Sequence, residues 1–297
     1  MDLHQLKIFT TVAEHRGFAT AAAALHLSQP TISSHIAALE RELQTQLIRR
    51  TTRQFALTPQ GEKLYGYASN ILKLRNKAVR ELSGGGRSVL SVGASSVPGQ
   101  CLLPQILAAF CREQPQVRLE VIRSDSMDVI QRVSEGTLDV GLVGTQIESP
   151  CTFLPIADDE LILAAPNLPQ YRALLDAPVQ VLLQQPFLIR TDRSGTLHET
   201  EQYFAQLGLP PQPPNTVAHI ADPEILRQCI VQGLGVSVVS RRTVEEQIAQ
   251  GSILQIPLGE KPLTRQLYLT YLPSSYPPHI VLDFIKIVNR MFLATKI

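Results

Sequence analysis

The chain has 297 residues, of which 44% are hydrophobic and 18% are charged; this composition supports a folded core of two or three domains and excludes a disordered protein. Its net charge of +1 conceals an asymmetry: residues 1–87 hold 12 Lys and Arg against 6 Asp and Glu, whereas residues 88–297 hold 15 against 20. A basic head on a mildly acidic body indicates that only the head binds a polyanion.

Several classes of function lack their sequence signals. No apolar run approaches the roughly 18 residues that cross a bilayer, so we expect no membrane partner. The N-terminus lacks the pattern of a signal peptide, which predicts a cytosolic protein. The four cysteines form no C-x-x-C pair, so we expect neither a metal site nor disulfides and treat all four as small buried apolar residues. Without a P-loop, a G-x-S-x-G turn or an H-E-x-x-H helix, the chain is predicted to be no enzyme and to hold no cofactor.

The N-terminal residues have the pattern of three helices. Apolar residues at spacings of three and four, beginning at Leu3, predict a first helix that ends at Gly17. A short alanine-rich helix follows over 19–25. A third helix begins after a tight turn, because Ser28 is a good N-cap and Pro30 suits a first helical turn. The apolar stripe of this third helix is predicted to comprise Ile32, Ile36, Leu39 and Leu43.

The second and third helices together predict a helix-turn-helix. In that motif the second helix lies in the major groove of DNA and its polar face contacts base edges. The polar face here consists of Gln29, Ser33, Ser34 and His35. Glutamine suits adenine and serine is permissive, so no single contact is specific. A three-helix bundle with a polar outer face is the alternative, and the basic charge of the head favours DNA.

A small hairpin and a long helix come next. Two short extended runs flank Thr51 and Thr52, which predicts a hairpin whose tip carries Arg49, Arg50 and Arg53. Thr58 and Pro59 then cap a helix of about 24 residues with one apolar side, which is typical of a dimerisation arm. The apolar side is predicted to comprise Leu64, Tyr67, Ala68, Ile71, Leu74, Ala78 and Leu82.

The glycine run at 84–86 ends this helix and predicts a flexible joint. Beyond it, strands and helices alternate up to the C-terminus, which predicts an α/β fold with mostly parallel sheets. Because about 210 residues exceed one compact sheet, we expect two lobes.

The N-terminal residues carry a long and specific motif. It comprises Ser28-Gln29-Pro30-Thr31-Ile32-Ser33, Ile36, Leu39-Glu40, Glu42-Leu43, Leu47, Arg50, Leu57-Thr58 and Gly61. This motif resembles the amino-terminal signature of LysR-type transcriptional regulators, and the layout of the whole chain is similar to that of the family. The resemblance implies an α/β protein with an N-terminal winged helix-turn-helix, a long linker helix and a two-lobed effector domain similar to periplasmic binding proteins.

The resemblance also implies domain boundaries and DNA contacts. The implied domains are a DNA-binding domain at 1–58, a linker and dimerisation helix at 59–87 and an effector-binding domain at 88–297, with a first lobe of 88–163 plus 268–297 and a second lobe of 164–267. The implied DNA contacts are Gln29, Pro30, Thr31, Ser33, Ser34 and His35 in the recognition helix and Arg50, Thr52 and Arg53 in the wing.

Three residues depart from the family pattern. Gln44 stands where a glycine usually ends the recognition helix, so we expect a different turn there. Ile48 replaces a common phenylalanine, which we interpret as a packing change. Ser34 occupies a place where arginine is frequent, so a strong guanine contact is missing there, and His35 is a partial substitute.

Candidate ligand residues lie in the turns after strands of the body, because open α/β sheets bind ligands at the carboxyl ends of their strands. The turn after the first of these strands offers hydroxyls and backbone N–H groups at a helix N-terminus, a natural anion site; the resemblance implies that it contacts the effector. A plain N-cap there, a solvated surface turn at 190–196, and a helix cap at Asp222 are the alternatives. The candidates are Ser95, Ser96, Pro98, Gln100, Gly144, Thr145, Arg190, Ser194, Thr196, Ala221 and Asp222.

The chain is therefore predicted to be a LysR-type regulator that binds double-stranded operator DNA as a homodimer or homotetramer and responds to a small anionic effector between two lobes. The body is similar to the sulfur- and selenium-metabolism branch of the family, which implies a sulfur-type oxyanion, with a small carboxylate as the other candidate. An effector-independent DNA-binding regulator is one alternative. A two-lobed solute-binding protein or enzyme is the other.

Overall fold

The chain divides into two units, Met1–Gly86 and Arg87–Ile297. The computed structural model describes residues 1–50, 55–82, 88–191, 194–259, 262–274 and 277–292, except for the side chains at 50, 73, 77 and 80–82. Within these residues, no helix combines the length and the apolar character needed to cross a lipid bilayer. The predicted joint at 84–86 lies outside the described residues.

The N-terminal unit is a winged helix-turn-helix followed by a long helix, as predicted. Its elements are α1 (Leu3–Glu14), α2 (Phe18–Leu25), α3 (Gln29–Glu42), β1 (Ile48–Arg50), β2 (Phe55–Leu57) and α4 (Pro59–Leu82). The apolar stripes of α1 and α3 meet in one core, in which Phe9, Ile32, Ile36 and Leu39 are fully buried.

Local hydrogen bonds explain where these helices begin and end. Ser28 Oγ accepts the backbone N–H of Thr31 at 3.2 Å, so the predicted N-cap of α3 is confirmed. The first helix ends at Glu14 rather than at the predicted Gly17. Arg16 takes a left-handed backbone with φ of 48°, and Gly17 becomes the N-cap of α2.

The turn after α3 keeps the left-handed backbone that glycine favours. Gln44 has φ of 51°; its N–H donates to Arg41 O at 3.3 Å, and the next N–H, of Thr45, donates to Glu40 O at 3.1 Å. We expected the turn after α3 to differ from that of the family, but it is an ordinary C-terminal turn. A residue with a side chain in the left-handed region costs roughly 1–2 kcal/mol of conformational energy. Leu43, predicted to join the apolar stripe, is 37% exposed because the helix ends there.

Three polar contacts attach the wing to its neighbours. Glu40 Oε1 accepts the backbone N–H groups of Leu47 at 2.9 Å and Ile48 at 3.2 Å. Thr58 Oγ1 accepts the N–H of Gly61 at 3.0 Å and caps α4. A Cβ at Gly61 would lie 2.0 Å from Leu47 O, so only glycine permits this approach. These motif residues are thus explained by packing within the head.

The long helix α4 has two apolar faces rather than the single face predicted. Tyr65, Ala68 and Leu72 pack against the core of the head, and Ala68 is fully buried. The prediction that Leu64 and Ala68 share one apolar side with Tyr67 and Ile71 was therefore wrong, because both Leu64 and Ala68 pack against the head. The outward stripe consists of Tyr67, Ile71, Leu74 and Ala78, all exposed. The side chain of Leu82 lies outside the described part.

The C-terminal unit alternates strands and helices. Its strands are β3 (Val89–Ala94), β4 (Arg118–Arg123), β5 (Val140–Val143), β6 (Thr152–Pro166), β7 (Phe187–Arg190), β8 (Thr216–Ile220), β9 (Ser237–Ser240), β10 (Ile253–Ile256) and β11 (Leu263–Tyr271). Its helices are α5 (Ser96–Cys101), α6 (Leu103–Glu113), α7 (Ser126–Ser134), α8 (Pro169–Arg172), α9 (Val179–Leu182), α10 (Gly195–Gln206), α11 (Pro223–Val231), α12 (Glu245–Ala249) and α13 (His279–Phe292).

The prediction of mostly parallel sheets is wrong for the centre of this unit. β3 pairs in parallel with β4 and β5, and β7 pairs in parallel with β8. The long strand β6 instead pairs antiparallel with β9, β10 and β11, and β11 pairs antiparallel with β5. The reason is that β6 and β11 run antiparallel to each other between the two lobes, and the apolar pattern of a single strand does not indicate its direction relative to its neighbours.

These two crossing strands join two lobes, each with its own core. The first lobe packs β3, β5, α6 and α13 around residues such as Phe110 and Phe284, whose rings lie 5.4 Å apart. The second lobe packs α10 on β7, β9 and the C-terminal end of β6, around Phe187 and Phe204. The predicted lobe boundary at 163/164 falls within β6, and the boundary at 267/268 falls within β11.

Candidate functional site

The polar side of α3 is accessible on the N-terminal unit. Of the predicted contacts on this helix, Gln29, Pro30 and Ser34 are exposed and Thr31, Ser33 and His35 are half-buried. The hydroxyl of Thr31 lies 2.7 Å from Ser28 Oγ and so supports the N-cap. The ring of His35 packs edge-on against that of His4, with centroids 5.2 Å apart. Gln29 and Ser34 are therefore the polar side chains best placed to reach outward.

The wing carries the remaining predicted contacts. Arg49 is exposed on β1. The side chain of Arg50 and the whole of Thr52 and Arg53 lie outside the described residues, so their contacts stay predictions.

A narrow cleft, about 260 Å³ when the space open to solvent is included, lies between the two lobes of the C-terminal unit. It brings together predicted residues that are about 100 positions apart in the sequence. The lining comprises Ser95, Ser96, Val97, Asp125, Ser126, Gly144, Arg190, Ser194, Gly195, Thr196 and Arg265. Those predicted from the sequence are Ser95, Ser96, Gly144, Arg190, Ser194 and Thr196.

Helix N-termini from both lobes point at this cleft. Asp125 caps α7 by accepting the N–H of Asp128 at 2.8 Å. Ser95 and Ser194, the N-caps of α5 and α10, are only 5% exposed and make no capping bond through their side chains. Their hydroxyls are therefore available to a ligand, beside the partial positive charge of the helix N-termini.

Two arginines line the cleft with unsatisfied nitrogen atoms. Arg265 is 7% exposed and its Nε donates to Asp159 Oδ2 at 2.9 Å. Its Nη1, like the Nε of Arg190, is buried without a hydrogen-bond partner among the described residues. Burial lowers the pKa of the Arg190 guanidinium, and the nearby charge of Arg123 lowers it further. An anion in the cleft would relieve both the missing hydrogen bonds and this repulsion.

The two lobes touch directly at the edge of the cleft. A Cβ at Gly195 would lie 2.7 Å from Ser126 Oγ, so glycine allows the N-termini of α10 and α7 to approach each other. Thr145 Oγ1 donates to Glu199 Oε1 at 2.6 Å, which links the turn after β5 to α10. The described conformation is therefore one in which the lobes are in contact.

Five predicted ligand residues do not line the cleft. Gln100 lies one turn along α5 from its N-terminus, and Pro98 is buried on that helix. The hydroxyl of Thr145 is engaged by Glu199. Ala221 and Asp222 follow β8, the parallel partner of β7, and neither lines the cleft. Asp222 caps α11 by accepting the N–H groups of Glu224 and Ile225, as the helix-cap alternative predicts.

Three polar residues of the cleft, Asp125, Ser126 and Arg265, were not among those predicted from the sequence. Asp125 and Ser126 follow β4 in the same strand-to-helix pattern as Ser95, so the rule that found one turn could have found the other. Arg265 lies within β11, and only the pairing of that strand with β6 places its side chain between the lobes.

Two family descriptions match the chain. Residues 3–62 match the bacterial regulatory helix-turn-helix protein, lysR family, and residues 83–292 match the LysR substrate binding domain. The chain belongs to the LysR family.

Similar proteins support this assignment over the whole length of the chain. The HTH-type transcriptional regulator CysL of Bacillus subtilis (strain 168) is 29% identical over 296 residues, covering 93% of this chain and 98% of the relative. The RuBisCO operon transcriptional regulator of Allochromatium vinosum is 26% identical, covering 91% and 90%. CbnR complexed with its target DNA has a TM-score of 0.72 at 23% identity, covering 98% and 99%, and therefore the same fold.

As a LysR-type protein, the chain is a DNA-binding transcriptional regulator with an effector-binding domain. Regulators of this family bind operator DNA and small-molecule effectors and form oligomers. The fold of this chain places the helix-turn-helix in one unit and the two-lobed cleft in the other.

The cysteines of this LysR-family chain are all unpaired. Cys101 ends α5 and Cys111 lies on α6. Cys151 is buried, whereas Cys111 is exposed and does not fit the predicted role of a small buried residue. In the part of the chain that the structure describes, no three His, Cys, Asp or Glu side chains are grouped to hold a metal ion.

Proposed function

We propose that a small anion binds between the two lobes and controls how this regulator holds its operator. The observation that carries the proposal is a pair of buried guanidinium nitrogens, Arg190 Nε and Arg265 Nη1, which belong to the lining of one cleft and find no acceptor among the described residues. The unused N-cap hydroxyls of Ser95 and Ser194 complete a set of donors. Such a set suits an oxyanion or a carboxylate and disfavours a cation.

A ligand that contacts both lobes would act by shifting conformational populations. Arg190 and Ser194 belong to the second lobe and Ser95 to the first, so one anion can bridge them. Bridging stabilises the conformation in which the lobes are in contact, by as much as the anion's affinity differs between the two states. In an oligomer whose heads occupy half-sites about 34 Å apart, such a change alters the bend of the DNA between them.

Replacing Arg190 by Gln tests the anion site. Glutamine removes the charge and one charge-assisted hydrogen bond, so the affinity for acetate and sulfate should fall about 10- to 150-fold by isothermal titration. The anion concentration that changes the length of the DNase footprint should rise by the same factor, while operator affinity without anion stays unchanged.

Arg227→Gln is the matched control, because Arg227 lies on α11 of the same lobe and pairs with Glu224 at the surface. It should leave anion affinity unaltered. Equal affinities for Arg190→Gln and the unchanged protein would refute the anion site. A footprint that no anion alters would favour an effector-independent regulator.

For the DNA, we propose contacts by the accessible polar residues of α3 and by the wing. Gln29 and Ser34 are exposed on the outer side of α3, and Arg49 adds positive charge on β1. Arg50, Thr52 and Arg53 are proposed as phosphate contacts on the basis of the family motif. Phosphate contacts supply affinity for any sequence, whereas Gln29 supplies preference among bases.

Gln29→Ala separates these two roles. Loss of a bidentate contact to one base should cost about 1–3 kcal/mol on the cognate operator and leave binding to random DNA unchanged. Fluorescence anisotropy with both DNAs at one salt concentration measures the difference. Equal losses on the two DNAs would place Gln29 against the backbone rather than a base.

The remaining assignments follow from this role. We propose a DNA-binding domain at 1–58, a linker helix at 59–87 and an effector domain at 88–297 that assemble as a homodimer or homotetramer in the cytoplasm, where the operator is. No catalytic activity is needed for the function, because binding of the anion alone transmits the signal.

A further inference from the structure

A side-chain hydrogen bond joins the two lobes beside the cleft. Thr145 lies in the turn after β5 of the first lobe, and its Oγ1 donates to Glu199 Oε1 on α10 of the second lobe at 2.6 Å. Thr145 is 1% exposed and Glu199 is half-buried, so water has little access to this bond. A hydrogen bond to a carboxylate is stronger when it is sheltered from water, so this bond stabilises the contact between the lobes.

The surroundings of Glu199 also place its carboxylate against the first lobe. Tyr268 lies on β11 directly opposite Val143, the last residue of β5. Burial raises the pKa of the Tyr268 phenol, and the negative charge of Glu199 raises it further. Glu199 is therefore close to the turn after β5 and to the strand beside it.

The positive charges around the cleft oppose this contact. Burial lowers the pKa of the Arg190 guanidinium, and the charges of Arg123 and Arg265 lower it further, whereas Asp125 and Asp222 partly offset them. Arg190 belongs to the second lobe, Arg123 ends β4 of the first lobe and Arg265 lies on the crossing strand β11. Without an anion, this repulsion favours separation of the lobes.

We propose that the hydrogen bond between Thr145 and Glu199 is a latch, a contact that keeps the two lobes together before an anion binds. Neither residue lines the cleft, so the anion needs neither side chain as a ligand. The apparent affinity for the anion is proportional to the fraction of chains whose lobes are already in contact. The latch therefore sets the anion concentration at which the regulator responds. This last consequence rests on the proposed anion site, whereas the contact between the lobes can be measured without an anion.

Thr145→Val tests the latch, because valine keeps the branched shape of threonine and removes the donor. Loss of a hydrogen bond to a charged group should shift the equilibrium towards separated lobes about 10- to 150-fold. Hydrogen exchange on the full-length protein without anion should therefore accelerate at the backbone amides that begin α7 and α10, where Gly195 approaches Ser126. Amides in the centre of β6 should exchange at the unchanged rate, which distinguishes loss of the latch from loss of the fold.

Two glutamates of α10 provide matched variants. Glu199→Ala removes the acceptor and should reproduce the exchange of Thr145→Val, and combining the two changes should add little, because both remove the same bond. Glu201 lies two positions farther along the helix and hence on a different side of it. Glu201→Ala should therefore leave exchange at the lobe contact unaltered.

Titration calorimetry with sulfate measures the effect on the response. Sulfate affinity should fall about 5-fold or more in Thr145→Val and Glu199→Ala and stay unchanged in Glu201→Ala. Unaltered exchange at the lobe contact in the two latch variants, or faster exchange with unchanged sulfate affinity, would overturn this inference. Failure of Arg190→Gln to weaken sulfate binding would instead refute the anion site, and the exchange experiment without anion would still decide whether the latch exists.

Discussion

Replacing Asp159 by Ala is expected to destabilise the C-terminal unit by about 3–5 kcal/mol. Asp159 is 1% exposed on β6 and lies directly opposite Arg265 in the register of β6 and β11. Its two oxygens accept hydrogen bonds from Arg265 Nε at 2.9 Å and Ser240 Oγ at 2.5 Å. Without this carboxylate, the Arg265 side chain, itself 3% exposed, would remain as an uncompensated buried charge.

Urea unfolding followed by circular dichroism measures this loss. Glu160→Ala is the control, because Glu160 is the next carboxylate on the same strand and its 3.3 Å pair with Arg241 is exposed, so the cost should stay within about 1 kcal/mol. Adding Arg265→Met to Asp159→Ala should restore most of the stability, since removing both partners leaves no buried charge. If Asp159→Ala costs no more than Glu160→Ala, the buried pair does not stabilise the crossing strands.

This pair also marks where sequence-based prediction ends. Caps and helix periods are local signals, so Ser28 and the bounds of α4 could be predicted from a few neighbouring residues. Asp159 and Arg265 are 106 positions apart and lie in strands with no clean apolar alternation. Only the antiparallel crossing of β6 and β11 brings them together, and Pro155 and a run of acidic residues interrupt the apolar pattern in the first half of β6.

The cleft was predictable to the extent that it obeys one rule of α/β topology. Ser95, Ser96, Arg190, Ser194 and Thr196 were found because ligands bind at the carboxyl ends of strands. How far a candidate residue lies from the cleft, along a helix or across a sheet, cannot be predicted from its neighbours in the sequence. Gln100 and Asp222 satisfied the rule and still lie off the cleft, because Gln100 lies one turn along α5 and the Asp222 side chain caps α11.

The outward stripe of α4 leads to the prediction with the largest effect on assembly. Tyr67, Ile71 and Leu74 are 64%, 38% and 42% exposed on a 24-residue helix, although their spacing places them on one side. LysR-type regulators form oligomers, and two such stripes packed together would bury these side chains. Asn76, by contrast, lies on the opposite side of the helix and is exposed.

Ile71→Asp should therefore weaken the dimer at least 100-fold, because each chain would place an unpaired carboxylate in the packed seam at a cost of several kcal/mol. Operator affinity should fall with it, since two half-sites need two linked heads. Sedimentation velocity across a dilution series measures the first effect and anisotropy with operator DNA the second. Asn76→Asp adds the same charge outside the stripe and preserves an acceptor for Arg75, which donates to the Asn76 side chain at 3.0 Å, so it should behave like the unchanged protein. If the Ile71→Asp chain remains dimeric at the lowest concentrations and binds its operator normally, α4 is not the dimerisation surface, and the exposed stripe has another partner.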